Sequence, residues 1–205
     1  MLDLIVKGGV VLWVIMLLSV IAVVIIIERY MYFRNIRTDE EKLFLRVKSA
    51  IAKGHYDEAM AICDASPSPF STLLKTGIEH RNRSSFERKE VLKDTAAQEV
   101  PRLEKNIGTL GTIAHIAPLL GLLGTVTGNI KAFGVLGRFG SVGDPSILAK
   151  GISEALITTA AGLIVAIPAT IFFNALTGRV NTLIVRMENQ VNEMTLLLEE
   201  GEAGK

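Results

Sequence analysis

The sequence predicts an all-α integral membrane protein in which three transmembrane helices carry long helical extensions into the cytoplasm. Hydrophobic residues make up 49% of the chain and charged residues 21%, and the mean hydropathy is +0.40. The charges are segregated from the apolar stretches, which is typical of a membrane protein with water-exposed parts. Three stretches without charge are each about 20 residues or longer, and at ~1.5 Å of rise per residue each can cross a ~30 Å hydrocarbon core.

Residues 1–28 are predicted to form a periplasmic N-terminal end and the first transmembrane helix. Gly8–Ile27 has no charge. It is longer than the apolar part of a secretory signal, and no small-residue cleavage site follows it. Only Lys7 precedes this helix, whereas many basic residues follow it: Arg29, Arg34, Arg37, Lys42, Arg46 and Lys48. By the positive-inside rule, the N-terminus is therefore outside and the next segment is cytoplasmic.

Residues 29–106 are predicted to form a cytoplasmic helical domain. Capping-box patterns at Thr38–Glu41 and Ser84–Glu87 predict two helix starts, and Gly54 is expected to end a helix. The helix that starts at Ser84 is expected to run directly into the second transmembrane helix. Because some 80 residues with this much charge hold only a modest core, we expect the domain to pack against neighbouring helices.

Residues 107–130 are predicted to form the second transmembrane helix. Small residues recur four positions apart in Ala117–Gly121 and Gly124–Gly128, a spacing that lets helices approach closely. Pro118 is expected to kink this helix. Residues 131–151 are predicted to form a short periplasmic loop, because turn-forming residues cluster there: Gly137, Gly140, Gly143, Asp144 and Pro145.

Residues 152–178 are predicted to form the third transmembrane helix, in which Gly162 keeps the helix thin and Pro168 is expected to introduce a kink. Residues 179–205 are predicted to continue this helix into the cytoplasm. Their apolar residues recur at alternating steps of four and three, as in a coiled coil: Val180, Ile184, Met187, Val191, Met194 and Leu198.

Polar side chains within the predicted spans are candidates for a proton or cation path. Glu154 either belongs to such a path or is an interfacial carboxylate favoured by a helix N-terminus. Thr125, Thr158 and Thr159 either line a path with hydroxyls or bond to carbonyls of their own helices. Thr158 shares a helix face with Glu154, whereas Thr159 is turned about 140° from it. His115 is interpreted as a hydrogen-bonded interface residue in preference to a proton relay.

Several functional classes lack support in the sequence. No nucleotide-binding, metal-binding or nucleophile motif is present, so we predict no catalytic residue, no metal site and no cofactor. The net charge of +1 gives no reason to expect nucleic-acid binding. The single cysteine, Cys63, excludes an internal disulfide and is interpreted as a reduced, inert thiol.

Two motifs resemble those of the MotA/TolQ/ExbB proton-channel family. APLLGLLGTVTGNIKAF (Ala117–Phe133) is similar to the second-helix motif of the family, and GISEALITTAAGLIVAIPATIFFN (Gly151–Asn174) is similar to its third-helix motif. The pair Glu28-Arg29 also resembles a pair found in this family. The length and the three-span plan resemble the ExbB and TolQ branches more than the MotA branch, which has a fourth span.

The resemblance implies a ring of five identical subunits in the bacterial inner membrane. It also implies an ExbD-like single-span protein inside the ring, whose aspartate carries protons past Thr125 and Thr159, with Glu154 in the polar path or at a subunit contact. The ExbB-like function would be to drive a TonB-like protein for outer-membrane uptake. The alternatives are a TolQ-like motor for envelope maintenance and a non-conducting scaffold. A small transporter is disfavoured, because three spans without an inverted repeat enclose no site.

Overall fold

The structure, a computed structural model, describes residues 9–37, 40–139 and 145–203. Within these ranges the chain is helical and contains no strand, which confirms the all-α prediction. The helices in chain order are α1 (Gly9–Arg37), α2 (Glu40–Ala52), α3 (Tyr56–Ala65), α4 (Pro69–Glu79), α5 (Ser85–Glu104), α6 (Ile107–Phe139) and α7 (Pro145–Ala203).

The chain divides into two compact units. The first, which we call the apolar unit, contains α1 as far as Arg29 together with Asn106–Leu176. The second, which we call the polar unit, contains Tyr30–Lys105 and α7 from Thr177 onward. The division follows the composition, since the apolar unit holds the three uncharged stretches and the polar unit holds most of the charges.

Three helical stretches of the described chain are long and apolar enough to cross a membrane, as predicted. They are the stretch that begins with α1, the stretch of α5 and α6, and α7. The most apolar windows have mean hydropathies of 3.4, 1.6 and 2.1, respectively. The second and third values are lower because α6 and α7 contain Gly, Thr and Pro where α1 contains Val, Ile and Leu.

One narrow stripe of α1 is buried within the apolar unit, and the rest of its surface is apolar and exposed. The buried residues are spaced by three or seven positions, which places them on one face: Leu12, Ile15, Ala22 and Ile25. The exposed residues include Trp13, Leu17, Val20, Val24 and Ile27. A helix that is apolar all around and buried on one side only is suited to a lipid environment.

Two apolar helices continue past the predicted ends of their spans. α1 extends to Arg37, beyond the predicted limit at residue 28. α7 continues unbroken to Ala203 over 59 residues, which confirms that the third span and the C-terminal segment are one helix. At ~1.5 Å per residue, α7 is roughly 90 Å long, about three times the thickness of a hydrocarbon core.

The predicted loop over residues 131–151 is wrong at both ends, because the flanking helices extend into it. α6 continues through Phe139 and includes Gly137, and α7 begins at Pro145. A glycine inside a helix costs only about 1 kcal/mol relative to alanine, so Gly137 alone does not end an apolar helix. Proline is favoured at the first position of a helix, and Pro145 occupies that position. The turn signals within residues 140–144 lie outside the described residues.

The helix expected to run from Ser84 into the second span is interrupted. α5 ends at Glu104, and α6 begins at Ile107. Between them Asn106 has a φ of 62°, in the left-handed region that Asn tolerates better than most residues. Its side-chain amide donates to the Glu28 carboxylate at 3.1 Å. No Gly or Pro occupies this position, so the end of the helix could not be predicted from a helix-breaking residue.

The polar unit packs its helices around the C-terminal part of α7. Of the six predicted heptad residues, Ile184 is half-buried and the others are at most 3% exposed: Val180, Met187, Val191, Met194 and Leu198. Buried partners in the same unit include Leu43, Val47, Ile51, Phe70, Leu73, Leu74, Ile78 and Leu92. The C-terminal part of α7 thus provides much of the hydrophobic core that the shorter, charged helices of the polar unit could not form by themselves.

Local signals at the helix ends of the polar unit agree with the sequence. Ser84 and Glu87 form the predicted capping box, with the Glu87 N–H donating to Ser84 Oγ at 3.3 Å and the Ser84 N–H donating to the Glu87 carboxylate at 3.2 Å. Hydrogen bonds from Ser84 hold the pKa of Glu87 below its usual value. Gly54 follows α2 with a φ of 77°. The other predicted box begins at Thr38, outside the described residues.

Cys63 lies in the core of the polar unit and is 2% exposed. Burial, followed by the nearby Asp64 carboxylate, raises the pKa of its thiol from 9.0 to about 11. The thiol is therefore protonated at neutral pH, which is consistent with an inert structural cysteine.

Candidate functional site

In the apolar unit, α6 and α7 pack against each other through small residues. A Cβ atom placed on Gly162 would lie 2.5 Å from the Ala117 carbonyl oxygen, and one placed on Gly128 would lie 2.8 Å from Ala155 Cβ. A Cβ on Gly151 would lie 2.8 Å from Ala132 Cβ. Since residues later in α6 meet residues earlier in α7, the two helices are antiparallel.

The candidate threonines lie in the middle of this contact. A Cβ on Gly124 would lie 2.5 Å from Thr158 Cβ, and one on Gly121 would lie 3.0 Å from Thr159 Cα. Thr158 is 2% exposed, whereas Thr159 is only half-buried. Because Gly121 and Gly124 have no side chains, the backbone of Thr159 and the side chain of Thr158 can fit against α6.

The hydroxyl protons of these threonines are donated to main-chain carbonyls. Thr159 donates to Gly121 O across the helix pair at 2.9 Å, and Thr158 donates to Glu154 O within its own helix at 2.7 Å. Thr125 donates to Leu122 O at 2.6 Å. A hydroxyl oxygen that donates its proton in this way still has lone pairs with which to accept a hydrogen bond.

Thr125 and Thr159 lie on the same side of the helix pair. A Cβ on Gly121 would lie nearest Thr159, and one on Gly124 nearest Thr158. Helical periodicity places these two pairs on opposite sides of the line of small residues. Thr125 follows Gly121 by one turn and is therefore on the side of Thr159. We call this side, defined by Thr125 and Thr159, the threonine edge. Both residues are half-buried in the isolated chain.

Glu154 lies on the opposite side of the helix pair. It precedes Thr158 by one turn and shares its face, as the sequence predicts. We call this side the glutamate edge. It also carries Thr127, which follows Gly124 by three positions and donates to Leu123 O at 2.9 Å. Helical periodicity therefore assigns Thr125 and Thr159 to one edge of the helix pair and Glu154 to the other.

The interpretation of Glu154 as a helix N-terminal residue is wrong. α7 begins at Pro145, so Glu154 is more than two turns inside the helix. The favourable effect of a helix dipole on a carboxylate falls off within the first turn, and Glu154 gains little from it. Glu154 directly precedes the uncharged stretch of α7 and follows Lys150 by one turn, which is the position of an interfacial residue.

His115 and the two prolines are the remaining candidate residues of α6 and α7, and Pro118, seven residues before Thr125, shares its face of α6. The Nδ1–H group of His115 donates to Gly111 O at 2.7 Å, and the ring is exposed in the isolated chain. Pro118 is half-buried, Pro168 is exposed, and the helices run uninterrupted through both.

Further small residues extend the contact in both directions. Ala132, Gly151 and Ala155 continue it towards one end of the pair, and Ala166 and Ala169 are buried on α7 towards the other. The signal was available, because small residues recur every three or four positions along α7. Among the residues that the structure describes, no group of three or more metal-ligating side chains occurs.

Comparisons with known proteins show the family to which the chain belongs. A sequence model described as the MotA/TolQ/ExbB proton channel family matches residues 65–189, more than half of the chain. A biopolymer transport protein ExbB homolog of Methanothermobacter thermautotrophicus is 32% identical over 185 residues, which are 89% of this chain and 64% of that protein. An ExbB-like biopolymer transport protein of Synechocystis is 35% identical over 178 residues, 86% of this chain and 70% of that protein.

A TolQ protein is also similar. The Tol-Pal system protein TolQ of Haemophilus influenzae is 39% identical over 108 residues, which are 53% of this chain and 47% of that protein. The chain thus spans about two thirds of the length of the two ExbB relatives and about half of TolQ. The matched segment of the family model contains α6, the membrane-crossing part of α7 and the threonine edge. The chain therefore belongs to the MotA/TolQ/ExbB proton channel family.

Proposed function

We propose that the chain is an ExbB-like subunit of a proton-driven motor in a bacterial inner membrane. Five copies form a ring, and the helix of an ExbD-like single-span protein lies inside it. The proton motive force is converted into mechanical work on a TonB-like protein, which energises outer-membrane uptake. The N-terminus is periplasmic, and the C-terminal part of α7 is cytoplasmic.

The observation that supports this proposal best is the threonine edge. Thr125 and Thr159 place two hydroxyl oxygens on one side of an otherwise apolar helix pair, and α6 and α7 each contribute one. In a ring, repetition of this edge around the axis gives a belt of hydroxyls that faces a central helix. An apolar wall without hydroxyls could not hydrogen-bond a carboxyl that passes along it.

The chemistry of the edge suits a carboxyl that gains and loses a proton. A protonated aspartate is neutral and has an O–H group, which can donate to the lone pairs of Thr125 or Thr159. An ionised aspartate needs donors, and burial disfavours its charge. Each proton moving down the membrane potential yields ~2.3 kcal/mol per 100 mV, enough to favour one position of the inner helix over another.

Thr158 and Glu154 take other roles in this proposal. Thr158 is buried beneath Gly124, so Thr159 is the threonine of α7 that faces the pore. Glu154 lies on the glutamate edge, and we assign it to the contact between neighbouring copies in the ring. Gly121, Gly124, Gly128 and Gly162 let the two helices approach closely enough to hold both edges in place.

The test removes the hydroxyls without changing the shape of the wall. Thr125→Val and Thr159→Val are compared with Thr127→Val, the same change on the glutamate edge. We expect energised uptake to fall to the level of cells that lack the chain in the first two variants and to stay normal in the third. Native electrophoresis should show the same assembly in all of them. Normal uptake together with an intact envelope in both Thr125→Val and Thr159→Val would favour the scaffold.

A TolQ-like role in envelope maintenance is the second candidate, because TolQ of Haemophilus influenzae is among the relatives. The same variants separate the two roles. If uptake persists while the cells become sensitive to detergent and leak periplasmic protein, the motor serves the envelope. Loss of uptake with an intact envelope supports the ExbB-like role.

A further inference from the structure

His115 is the one titratable side chain within the uncharged stretches of the three spans. Residues 9–27, 107–130 and 155–178 contain no Asp, Glu, Lys, Arg, Cys or Tyr, and His115 is their only histidine. Ionisable residues inside spans are rare and commonly belong to proton relays or substrate paths. The proposed motor as described so far assigns no role to this residue.

The hydrogen bond of His115 determines which ring nitrogen can take up a proton. The Nδ1–H group donates to Gly111 O at 2.7 Å. Because a carbonyl oxygen can only accept, this bond holds the hydrogen on Nδ1 and leaves the lone pair of the neutral ring on Nε2. The ring is exposed in the isolated chain. A proton that reaches Nε2 gives an imidazolium that keeps its bond to Gly111 O.

His115 belongs to the stripe of α6 that contains Thr125. The residues of this stripe recur at alternating steps of three and four, which places them along one side of the helix: His115, Pro118, Leu122, Thr125 and Asn129. None of the five is buried. On α7, Thr170 follows Thr159 by eleven residues, or about three turns, and therefore shares its face. Both helices thus extend the threonine edge with further polar groups.

The antiparallel register gives the order of these groups along the edge. A Cβ on Gly121 would lie 3.0 Å from Thr159 Cα, so these two residues are at the same level. At ~1.5 Å per residue, Thr125 lies about 6 Å from this level in one direction, and His115 about 9 Å and Thr170 about 16 Å in the other. In the proposed orientation the second direction leads to the cytoplasm. Polar groups therefore continue from the two threonines of the edge towards the cytoplasm.

The members of this row differ in what they can do with a proton. Thr170 donates its hydroxyl proton to Ala166 O at 2.8 Å, so its oxygen can accept a hydrogen bond but does not become charged. Histidine, in contrast, ordinarily changes its charge between about pH 5 and 8. His115 is therefore the member of the row that can take a proton from a carboxyl group.

We propose that His115 accepts the proton that the aspartate of the inner helix releases after passing the two threonines. This role rests on the proposed function, and it replaces the interface role that the sequence alone favours. The O–H bond of the carboxyl breaks, its electron pair stays on the carboxylate, and an N–H bond forms at Nε2. The imidazolium then gives this proton to water on the cytoplasmic side, near Thr170, and returns to the neutral ring. Water bridges the roughly 9 Å between the level of Thr159 and His115.

The test is the decay of an imposed proton gradient in inverted inner-membrane vesicles that contain the full chain and its single-span partner. The rate in vesicles without the chain is subtracted. We expect the rate in H115Q to fall roughly a hundredfold, the low end of the effect of a positioned proton-transfer group. The glutamine amide can still donate to Gly111 O, but it does not take up a proton.

The matched control is H80Q in the polar unit. His80 also forms a hydrogen bond from Nδ1 to the carbonyl oxygen four residues before it, Thr76 O, at 2.9 Å. The variant therefore loses an imidazole of the same kind outside the spans, and it should conduct like the wild type. Native electrophoresis should show the same assembly in all variants.

Rescue by free imidazole separates proton transfer from a structural role. H115A leaves space beside α6, and imidazole added to the medium, which faces the cytoplasmic side in inverted vesicles, should raise its rate with concentration. H115Q at the same imidazole concentration is the reference, because its side chain fills the space. It also corrects for imidazole that crosses the lipid by itself. If H115A fails to assemble, H115S takes its place.

Three results would overturn the role of His115. The first is a rate in H115Q equal to that of the wild type, and the second is an equal loss in H80Q. The third is a rate in H115A that imidazole does not raise above that of H115Q, which would make the histidine a structural residue. A wild type that does not conduct would refute the proposed motor and this role with it. Flux that Thr125→Val and Thr159→Val block but H115Q does not would refute the role of His115 alone.

Discussion

Two glycines, one in each unit, face a neighbouring helix in different ways. In the apolar unit, a Cβ on Gly162 would lie 2.5 Å from the carbonyl oxygen of Ala117 and 3.2 Å from the Cα of Gly121. In the polar unit, a Cβ on Gly77 would meet the side chain of Met194, whose nearest atom is 3.0 Å away. The first contact is between backbones, and the second is between a backbone and a flexible side chain.

The difference reflects what holds helices together in the two surroundings. Between apolar helices in lipid no hydrophobic effect favours association, so close packing and hydrogen bonds such as Thr159 to Gly121 O must provide it. In water, burial of large side chains such as Met187 and Met194 is itself stabilising. We therefore expect the apolar unit to be disrupted when a methyl group is added and the polar unit when methylene groups are removed.

The largest effect is expected in the polar unit from Met187→Ala. Met187 is 1% exposed at the centre of the heptad, and loss of such a side chain typically costs 2–5 kcal/mol. Thermal unfolding of the full chain in detergent would measure it. Val185→Ala on the same helix removes a side chain that is 55% exposed and should change little. Equal losses in the two variants would contradict the assigned core.

A smaller loss, about 1–3 kcal/mol, is expected from Gly162→Ala, since the new methyl group meets main-chain atoms that cannot move alone. The control is Gly108→Ala on α6, where a Cβ meets nothing within 4 Å. That variant should match or exceed the wild type in stability, because alanine favours helix over glycine. The measurement is the melting temperature of both variants. An unchanged melting temperature for Gly162→Ala would contradict the close backbone contact at Gly162.

Gly77→Ala is expected to change stability by less than about 1 kcal/mol. The gain in helix propensity offsets the cost of moving the flexible Met194 side chain. The measurement is again thermal unfolding, with Gly162→Ala in parallel. A loss at Gly77 as large as that at Gly162 would show that the two contacts are not different in kind.

The smallest effect concerns the titration of Cys63. Because burial raises the pKa of the thiol to about 11, the folded chain holds this proton more tightly than the unfolded chain. The resulting stability is fully present below pH 9 and is lost as the pH rises towards 11. Alkylation by iodoacetamide should rise with a midpoint near pH 11 in the folded chain and at an ordinary thiol value in urea. Equal midpoints would contradict a buried thiol.

Most of the fold could be predicted because its signals are local. The uncharged stretches, the heptad on α7 and the capping box at Ser84 each depend on residues close together in the sequence. The break at Asn106 was missed, because asparagine adopts a left-handed conformation only when its surroundings fix it, here with a bond to Glu28. Turn-forming glycines near residue 137 were overinterpreted, because an apolar helix tolerates isolated glycines.

The sequence predicted which residues belong to the candidate site, but not which side of the helix pair each of them occupies. The motifs single out Thr125, Thr158, Thr159 and Glu154. Their division between two edges depends on which residues of α6 meet which residues of α7, and helical periodicity within one helix does not determine that register. The pairing of Gly124 with Thr158 buries that threonine and leaves Thr159 at the edge.

The carbonyl bonds of Thr125 and Thr159 have one more consequence in the ring that we propose. Proton transfer along a chain of hydroxyl groups requires each hydroxyl to accept a proton from one neighbour and to donate a proton to the next. Hydroxyls whose hydrogens are already committed to Leu122 O and Gly121 O offer no such relay. The wall of the ring would then not conduct protons by itself. Protons would cross only when bound to the aspartate of the inner helix, and a ring without that helix would not let protons leak across the membrane.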